Sequence, residues 1–237
     1  MHGSHAQMKV VFVVAAAGAG TRMGAGFPKQ FLTHGGKALF LWPTLCAEKC
    51  AVVDAIFVIS PGAYVEKIRD LCAAEGITKL RAVVPGGSER QESIRKTLEA
   101  LESYDPDPGT LIFIQDGVRI FCKEKYITEC AAALEADETL DGLVVGVPVK
   151  DTIKIVDEAG FIVNTPERKR LFAANTPQVF RWGILKRAYD EAARQGRMST
   201  DDAQLVEAAG GRVRILPGDY DNVKITTEED LRYLDRT

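Results

Sequence analysis

The feature of this sequence that most constrains its fold is an unbroken apolar run, Val10 to Ala16, that leads directly into a glycine-rich turn. Most of the run is valine, and a β-branched stretch without polar residues is typical of a central strand buried on both faces. The turn reads Ala-Gly-Ala-Gly-Thr-Arg over residues 17–22. Because a doubly wound α/β sheet binds its nucleotide at such a turn, the start of the chain predicts an α/β fold with a phosphate-binding loop.

An alternation of strand and helix patterns continues along the chain. Apolar, β-branched stretches predict strands at 55–59, 81–84, 111–115, 142–147 and 213–217. Helical spacing predicts helices at 38–50, 63–75, 88–102, 123–136, 181–195, 201–209 and from about Thr227, with Ser88 as the cap of the third. This rhythm predicts a mostly parallel, doubly wound, Rossmann-like sheet in a single domain, residues 8–237, with residues 1–7 as a tail or cloning remnant.

The rhythm breaks at Lys150, and we name residues 150–172 the arm. Two β-prone stretches, Thr152–Val156 and Phe161–Val163, flank a turn at residues 157–160. They predict a β-hairpin that leaves the main sheet. Such a hairpin is either an ordinary surface feature or an arm that grips a second subunit, since exposed apolar strands need a partner. On the second interpretation the protein is a homodimer.

Composition excludes several classes of protein. The three histidines, His2, His5 and His34, are too few and too scattered for a Ser-His-Asp catalyst or a His-rich metal centre. The five cysteines include no C-x-x-C pair, which favours buried, reduced thiols in a cytoplasmic protein. No apolar run is long enough for a transmembrane helix, so we expect no membrane contact. A net charge of −3 also argues against a general nucleic-acid binder.

The glycine-rich turn matches neither standard nucleotide motif. A dinucleotide fingerprint would need glycine at Met23, and Gly36-Lys37-Ala38 lacks the hydroxyl residue of a Walker loop. The turn is instead accompanied by two cations, Arg22 and Lys29. Two positive groups beside a glycine turn suit a triphosphate whose leaving group is pyrophosphate.

With these residues the chain resembles the sugar-phosphate nucleotidyltransferases. Pro28-Lys29-Gln30 makes it similar to the cytidylyltransferases that act on polyol phosphates, and among them most similar to the 2-C-methyl-D-erythritol 4-phosphate cytidylyltransferase family. Later blocks agree in order, at residues 85–94, 115–119, 147–152, 174–180, 199–202 and 222–226. The resemblance covers almost the whole chain and implies transfer of CMP from CTP to 2-C-methyl-D-erythritol 4-phosphate, with Mg²⁺ as cofactor.

The resemblance also implies a role for particular residues. Those lining the nucleotide would be Ala16, Ala17, Gly18 and Gly20, and those reading the cytosine would be Gly87, Ser88 and Ser93. The groups holding the triphosphate and stabilising charge at the α-phosphorus would be Arg22, Lys29 and Lys224. Asp116 would serve both Mg²⁺ and the cytidine. The acceptor residues would be Thr152, Arg168, Thr176 and Arg119, part of them supplied by a neighbouring subunit's arm.

The chemistry of this reaction agrees with the composition. The attacking phosphate monoester is already ionised at neutral pH, because its second pKa is about 6. No general base is needed, so a site without histidine can catalyse by positioning and charge stabilisation.

Some departures from the family pattern leave alternatives open. The family usually has His-Asp-Ala-Ala-Arg-Pro where this chain has Gln115 to Ile120, and Gln where it has Asn175. These changes bear on the acceptor, so ribitol-5-phosphate cytidylyltransferase is a second hypothesis. A decayed, non-catalytic nucleotide-binding regulator is a third, and a nicotinamide oxidoreductase is disfavoured by the missing glycine.

Four further charged residues have two interpretations each. Asp201 and Asp202 could hold a metal, but after Ser199-Thr200 they are more typical of a helix start. Asp221 could be a second carboxylate for Mg²⁺. Arg90 could face the nucleotide or be a surface charge.

Overall fold

The computed structural model describes residues 9–18 and 28–236. The strands, in chain order, are β1 (Val10–Ala15), β2 (Thr33–His34), β3 (Lys37–Ala38), β4 (Ala55–Ser60), β5 (Leu80–Pro85), β6 (Leu111–Asp116), β7 (Gly142–Pro148), β8 (Ile155–Val156), β9 (Ile162–Asn164), β10 (Phe172–Arg181) and β11 (Val213–Pro217). The helices are α1 (Leu41–Lys49), α2 (Val65–Ala74), α3 (Arg90–Glu102), α4 (Glu124–Ala136), α5 (Trp182–Gln195) and α6 (Asp202–Ala208). Four 3₁₀ segments occur among the described residues, at Lys29–Phe31, Gly62–Tyr64, Arg168–Arg170 and Glu228–Arg236.

The central sheet confirms the predicted fold class. Its seven strands lie in the order β11-β7-β10-β6-β1-β4-β5. Within it, β10 runs antiparallel to β6 and β7, and the other neighbouring strands are parallel. The first apolar run occupies the centre, as its composition predicts, between β4 and β6.

Residues of β1 alternate between two apolar layers, because successive side chains of a strand point to opposite faces. Phe12 and Val14 pack into the layer covered by α1, α2 and α4. Val11 and Val13 pack into the layer covered by α3, α5 and α6. Helices on both faces of one sheet are the doubly wound arrangement that the sequence predicts.

Strand β10 was not predicted. Its sequence contains Pro177, which cannot donate to a strand ladder and argues against a central strand. The ladder accommodates it by an irregularity, since the register with β7 shifts between Ala174 and Gln178. Helix α5 starts only at Trp182, because Arg181 is the last residue of this strand.

Two predicted helix starts are wrong. Helix α1 begins at Leu41 because Lys37 and Ala38 pair with the preceding strand as a short hairpin. Ser88 does not cap α3: the cap position is Glu89, which makes no side-chain capping bond. By contrast, Asp201 caps α6 through a hydrogen bond from the Gln204 amide, as one of its two interpretations predicts.

The arm leaves the main sheet, as predicted, although its strands are shorter than expected. Strands β8 and β9 form a separate two-stranded sheet, and residues 152–154 lie outside it. Its apolar side chains face solvent: Phe161 is 71% exposed and Ile162 is 62% exposed.

The five cysteines are all free thiols. Burial raises the pKa of Cys72 and of Cys130 to about 12, which keeps both thiols protonated and unreactive. Within the part of the chain that the structure describes, no helix combines the length and apolarity that a bilayer span requires.

Candidate active site

A cleft opens where the parallel strands β1 and β6 end. Its volume is about 450 Å³, and the turn after β1, the turn after β5 and the end of β6 contribute to its walls. Ligands of open α/β sheets bind at the carboxyl ends of the strands, so this is the position expected for a nucleotide.

Asp116, the last residue of β6, is the centre of the cleft's charges. The Oδ2 atom of Asp116 lies 3.0 Å from Nζ of Lys224 and 3.1 Å from Nε of Arg119. Asp116 is only 7% exposed. We name these three side chains the charge centre.

The charge centre keeps Asp116 ionised. Burial alone raises the pKa of this carboxyl, but Lys224, Arg119 and Arg90 outweigh burial, and the net pKa lies below the usual value. Asp116 therefore carries its negative charge throughout the neutral range.

A second layer of hydrogen bonds fixes the charge centre in place. The Asp116 amide donates to Oγ1 of Thr176 at 3.1 Å, and the Asn222 side chain donates to the Thr176 carbonyl at 2.8 Å. Arg119 donates to the Asn222 carbonyl at 2.6 Å. Because Asn222 lies two residues before Lys224, these bonds hold the backbone that presents the lysine.

Gln115 is fully buried behind the charge centre. Its Nε2 atom lies 3.4 Å from the Asp116 carbonyl and 3.5 Å from the Arg119 carbonyl, which makes both contacts long for hydrogen bonds. A glutamine here can orient the turn weakly but cannot titrate near neutral pH.

Small residues let the turns around the cleft approach each other. A Cβ atom at Gly86 would lie 2.5 Å from Cβ of Ala17 and 2.9 Å from Oγ of Ser93. The next residue, Gly87, donates its amide to Oγ of Ser93 at 2.9 Å. The wall after β5 thus depends on glycine at position 86 and on the Ser93 hydroxyl.

Arg90 is a cleft residue rather than a surface charge. It lines the cleft and forms a bidentate ion pair with Asp202, at 3.0 Å to Oδ1 and 2.6 Å to Oδ2. Asp202 is fully buried and also accepts a hydrogen bond from the Tyr189 hydroxyl. Burial lowers the pKa of Arg90, but the ion pair with Asp202 outweighs burial and the net pKa is raised. The guanidinium therefore stays charged.

The structure brings together most of the residues that the resemblance implies. The cleft lining includes Ala16, Ala17, Gly18, Lys29, Gly87, Ser88, Ser93, Asp116 and Lys224. Gly20 and Arg22 lie outside the described residues.

The four implied acceptor residues do not meet in the cleft. Thr176 and Arg119 are buried next to Asp116. Thr152 and Arg168 are exposed in the arm, where Arg168 donates to the Lys150 carbonyl at 2.9 Å.

Asp221 pairs with Lys123 and not with the cations of the charge centre. Its Oδ2 atom lies 2.8 Å from Nζ of Lys123, which also contacts Asp219. In residues 9–18 and 28–236, no three His, Cys, Asp or Glu side chains cluster as a metal site.

Comparison with known protein families gives a match over almost the whole chain. The sequence model of the 2-C-methyl-D-erythritol 4-phosphate cytidylyltransferase family matches residues 10–235. A protein of that name from Fusobacterium nucleatum subsp. nucleatum is 40% identical over 237 residues, covering 99% of this chain and 100% of the relative. Another, from Geotalea uraniireducens, is 43% identical over 225 residues and covers 94% of each chain.

Solved structures agree with the sequence relatives. The chain is similar to the crystal structure of 4-diphosphocytidyl-2C-methyl-D-erythritol synthase from Anaerococcus prevotii, with a TM-score of 0.83 and 25% identity, covering 97% of this chain and 95% of that one. It is also similar to 2-C-methyl-D-erythritol 4-phosphate cytidylyltransferase from Thermus thermophilus, with a TM-score of 0.71 and 28% identity over 97% and 98% of the two chains.

Proposed function

Because the chain belongs to the 2-C-methyl-D-erythritol 4-phosphate cytidylyltransferase family, we infer that it is a nucleotidyltransferase of isoprenoid precursor biosynthesis. It transfers CMP from CTP to 2-C-methyl-D-erythritol 4-phosphate and releases pyrophosphate. The residue roles, the metal and the dimer described below are our proposals for how this chain performs that reaction.

The cleft suits a reaction that needs charge stabilisation and no general base. The acceptor's phosphate monoester is itself the nucleophile and is ionised at neutral pH. It attacks the α-phosphorus of CTP, one P–O bond forms, and the bond to pyrophosphate breaks. The described lining of the cleft holds Lys29, Lys224 and Arg90 but no histidine, which fits this chemistry.

Lys224 and Lys29 are assigned the triphosphate. In the structure Lys224 is paired with Asp116, so its ammonium is held at the carboxyl end of β6. Charge builds on the oxygens of the α-phosphoryl group as pyrophosphate leaves, and positioned ammonium groups stabilise it. Arg22 is assigned the same task from the resemblance.

Asp116 is assigned to Mg²⁺. Magnesium in proteins commonly uses one or two carboxylates together with waters and substrate phosphates. The ionised carboxylate of Asp116, which lines the cleft, fits that pattern. When bound, the ion would neutralise charge on the leaving pyrophosphate.

The acceptor is assigned to residues from two chains. Thr176 and Arg119 adjoin the charge centre of one chain, whereas Thr152 and Arg168 belong to the arm. The exposed apolar side chains of the arm support its burial against a second copy. We propose a homodimer in which each arm completes the partner's acceptor pocket. The five free thiols fit a reducing compartment such as the cytoplasm.

The observation that carries this function is the coincidence of family membership with an intact charge centre beside a nucleotide-sized cleft. The test is pyrophosphate release from CTP and Mg²⁺ with 2-C-methyl-D-erythritol 4-phosphate or ribitol 5-phosphate. Release with the first acceptor alone is expected. Release with ribitol 5-phosphate alone, or with neither acceptor, would contradict the assignment.

A further inference from the structure

The backbone amides of the first three residues after β5 all donate hydrogen bonds within the protein. The Gly86 amide donates to the Ser60 carbonyl at 2.8 Å. The Gly87 amide donates to the Ser93 hydroxyl oxygen at 2.9 Å, and the Ser88 amide donates to Oε2 of Glu92 at 2.7 Å. A ligand beside this turn therefore meets no available amide donor from these three residues.

The two serine hydroxyl groups of the same wall are also committed as donors. The Ser88 hydroxyl donates to Oε2 of Glu92 at 2.9 Å, and the Ser93 hydroxyl donates to the Glu89 carbonyl at 2.9 Å. A hydroxyl has one hydrogen and two lone pairs, so a serine that has donated can still accept. Ser88 lines the cleft, and its hydroxyl oxygen keeps lone pairs that can accept a hydrogen bond.

The Glu92 carboxylate is ionised, and it therefore keeps the Ser88 hydroxyl committed as a donor. Hydrogen bonds from the Ser88 side chain and backbone, together with Lys96, lower the pKa of Glu92 to about 2. An ionised carboxylate only accepts hydrogen bonds, so it cannot donate to Ser88 and reverse the hydroxyl's direction. Lys96 forms an ion pair with the same carboxylate, with its Nζ atom 3.4 Å from Oε1 of Glu92.

Gly87 makes room for this arrangement. A Cβ atom at position 87 would lie 2.3 Å from Cδ of Glu92, which would push the carboxylate away from Ser88. The absence of a side chain at Gly87 therefore permits the contact between Glu92 and Ser88.

We propose that Glu92 is a specificity-determining residue that selects cytosine over uracil by keeping the Ser88 hydroxyl an acceptor toward the base. The exocyclic amine of cytosine is a hydrogen-bond donor, whereas the corresponding position of uracil is a carbonyl oxygen that only accepts. An acceptor at Ser88 pairs with the amine and repels the carbonyl. Glu92 is not among the residues that line the cleft, so it acts through Ser88 as a positioning residue. The inference rests on the proposed function, since it assigns the base-reading side of that cleft.

The test compares kcat/KM for CTP with kcat/KM for UTP, each with saturating 2-C-methyl-D-erythritol 4-phosphate. Glu92→Met and Glu92→Ala remove the acceptor, and the first keeps most of the side chain's volume. Each should lower the CTP:UTP ratio about tenfold, because the freed hydroxyl can then donate to uracil. The matched control is Glu99→Ala, since Glu99 lies on the same helix and pairs with the exposed Arg95. It should leave the ratio unchanged.

Ser88→Ala tests whether the effect of Glu92 depends on the Ser88 hydroxyl. Once the hydroxyl is absent, adding Glu92→Met should not change the ratio further. An unchanged ratio in both Glu92 variants, or an equal fall with and without the Ser88 hydroxyl, would overturn the inference. If the wild-type protein fails to turn over CTP, the proposed function fails instead. The inference is then tested by calorimetric binding of CTP and UTP, where the Glu92 variants should lose the preference for CTP and an unchanged preference would refute it.

Discussion

The cleft and the arm of this molecule are built in opposite ways. In the cleft, cations pair with a buried carboxylate: Asp116 is 7% exposed and contacts both Lys224 and Arg119. In the arm, apolar groups are exposed, with Phe161 at 71%, and β8 and β9 pair only with each other among the described strands.

This difference separates the two halves of the proposed reaction. Among the charged groups assigned to the nucleotide, Asp116 and Lys224 are fixed by contacts within one chain, so this part of the site is preorganised. Two residues assigned to the acceptor lie on a segment whose apolar surface is not covered by the described residues of its own chain. We therefore expect nucleotide binding to be a property of one subunit and acceptor turnover to be a property of the dimer.

The largest expected effect is on the preorganised side. Lys224→Ala removes a cation from the charge centre and should lower kcat by roughly 10²–10³-fold, by analogy with other preorganised electrostatic groups. Steady-state pyrophosphate release measures it. Lys49→Ala, at the exposed end of α1, is the matched control. A Lys224 variant within a few-fold of wild type would remove this residue from the catalytic group.

Asp116→Asn tests whether the charge centre also stabilises the fold. Breaking these ion pairs should lower the free energy of unfolding by about 3 kcal/mol at pH 7, because cations are left without their buried partner. Since the folded-state pKa of Asp116 is lowered, its contribution is fully present above the unfolded value near pH 4 and is lost as the pH falls through the folded value.

Urea denaturation of wild type and Asp116→Asn at several pH values checks this dependence. The gap between the two proteins should narrow below about pH 4. Asp70→Asn, on the exposed face of α2, should show no comparable gap. A gap that widens on acidification would contradict the assigned direction of the Asp116 pKa.

Phe161→Asp tests the other side of the comparison. A charge in the apolar surface of the arm should weaken the dimer by about 2 kcal/mol or more. Light scattering at micromolar concentration should then report the mass of one 25.9 kDa chain. CTP binding should persist while acceptor turnover falls. Glu158→Lys, in the turn of the arm, is the control, and a wild-type protein that is itself monomeric would contradict the dimer.

The smallest expected effect concerns the connection between the cleft and the far helices. Tyr189→Phe removes the hydroxyl that donates to Asp202, the partner of Arg90. Loss of one buried hydrogen bond should cost about 1 kcal/mol of stability. Denaturant midpoints measure it, and an unchanged midpoint would show that this network does not stabilise the wall of the cleft.

Patterns with a local physical cause were predicted from the sequence. Strand β1 is apolar because it is buried on both faces, and the cap of α6 follows from Asp201 at its start. Strand β10 was missed because Pro177 lacks an amide donor, and only the irregular ladder with β7 shows how the sheet accommodates it.

The part of the site that was missed depends on long-range pairing. Arg90 and Asp202 are 112 residues apart, so no local pattern marks them as partners. Their positions within two of the motif blocks, 85–94 and 199–202, were the available signal. Ser88 was assigned to the helix cap because its type and position fit, yet α3 starts at Arg90 with Glu89 in the cap position.

The most direct test of the division between cleft and arm is complementation between two inactive variants. Lys224→Ala inactivates the nucleotide half, and Arg168→Ala inactivates the arm. If the arm acts on the partner's site, a mixed dimer contains one site with both an intact Lys224 and an intact Arg168. Random subunit exchange should then restore about a quarter of wild-type pyrophosphate release. No recovery, in a mixture shown by native mass spectrometry to contain mixed dimers, would contradict the shared site.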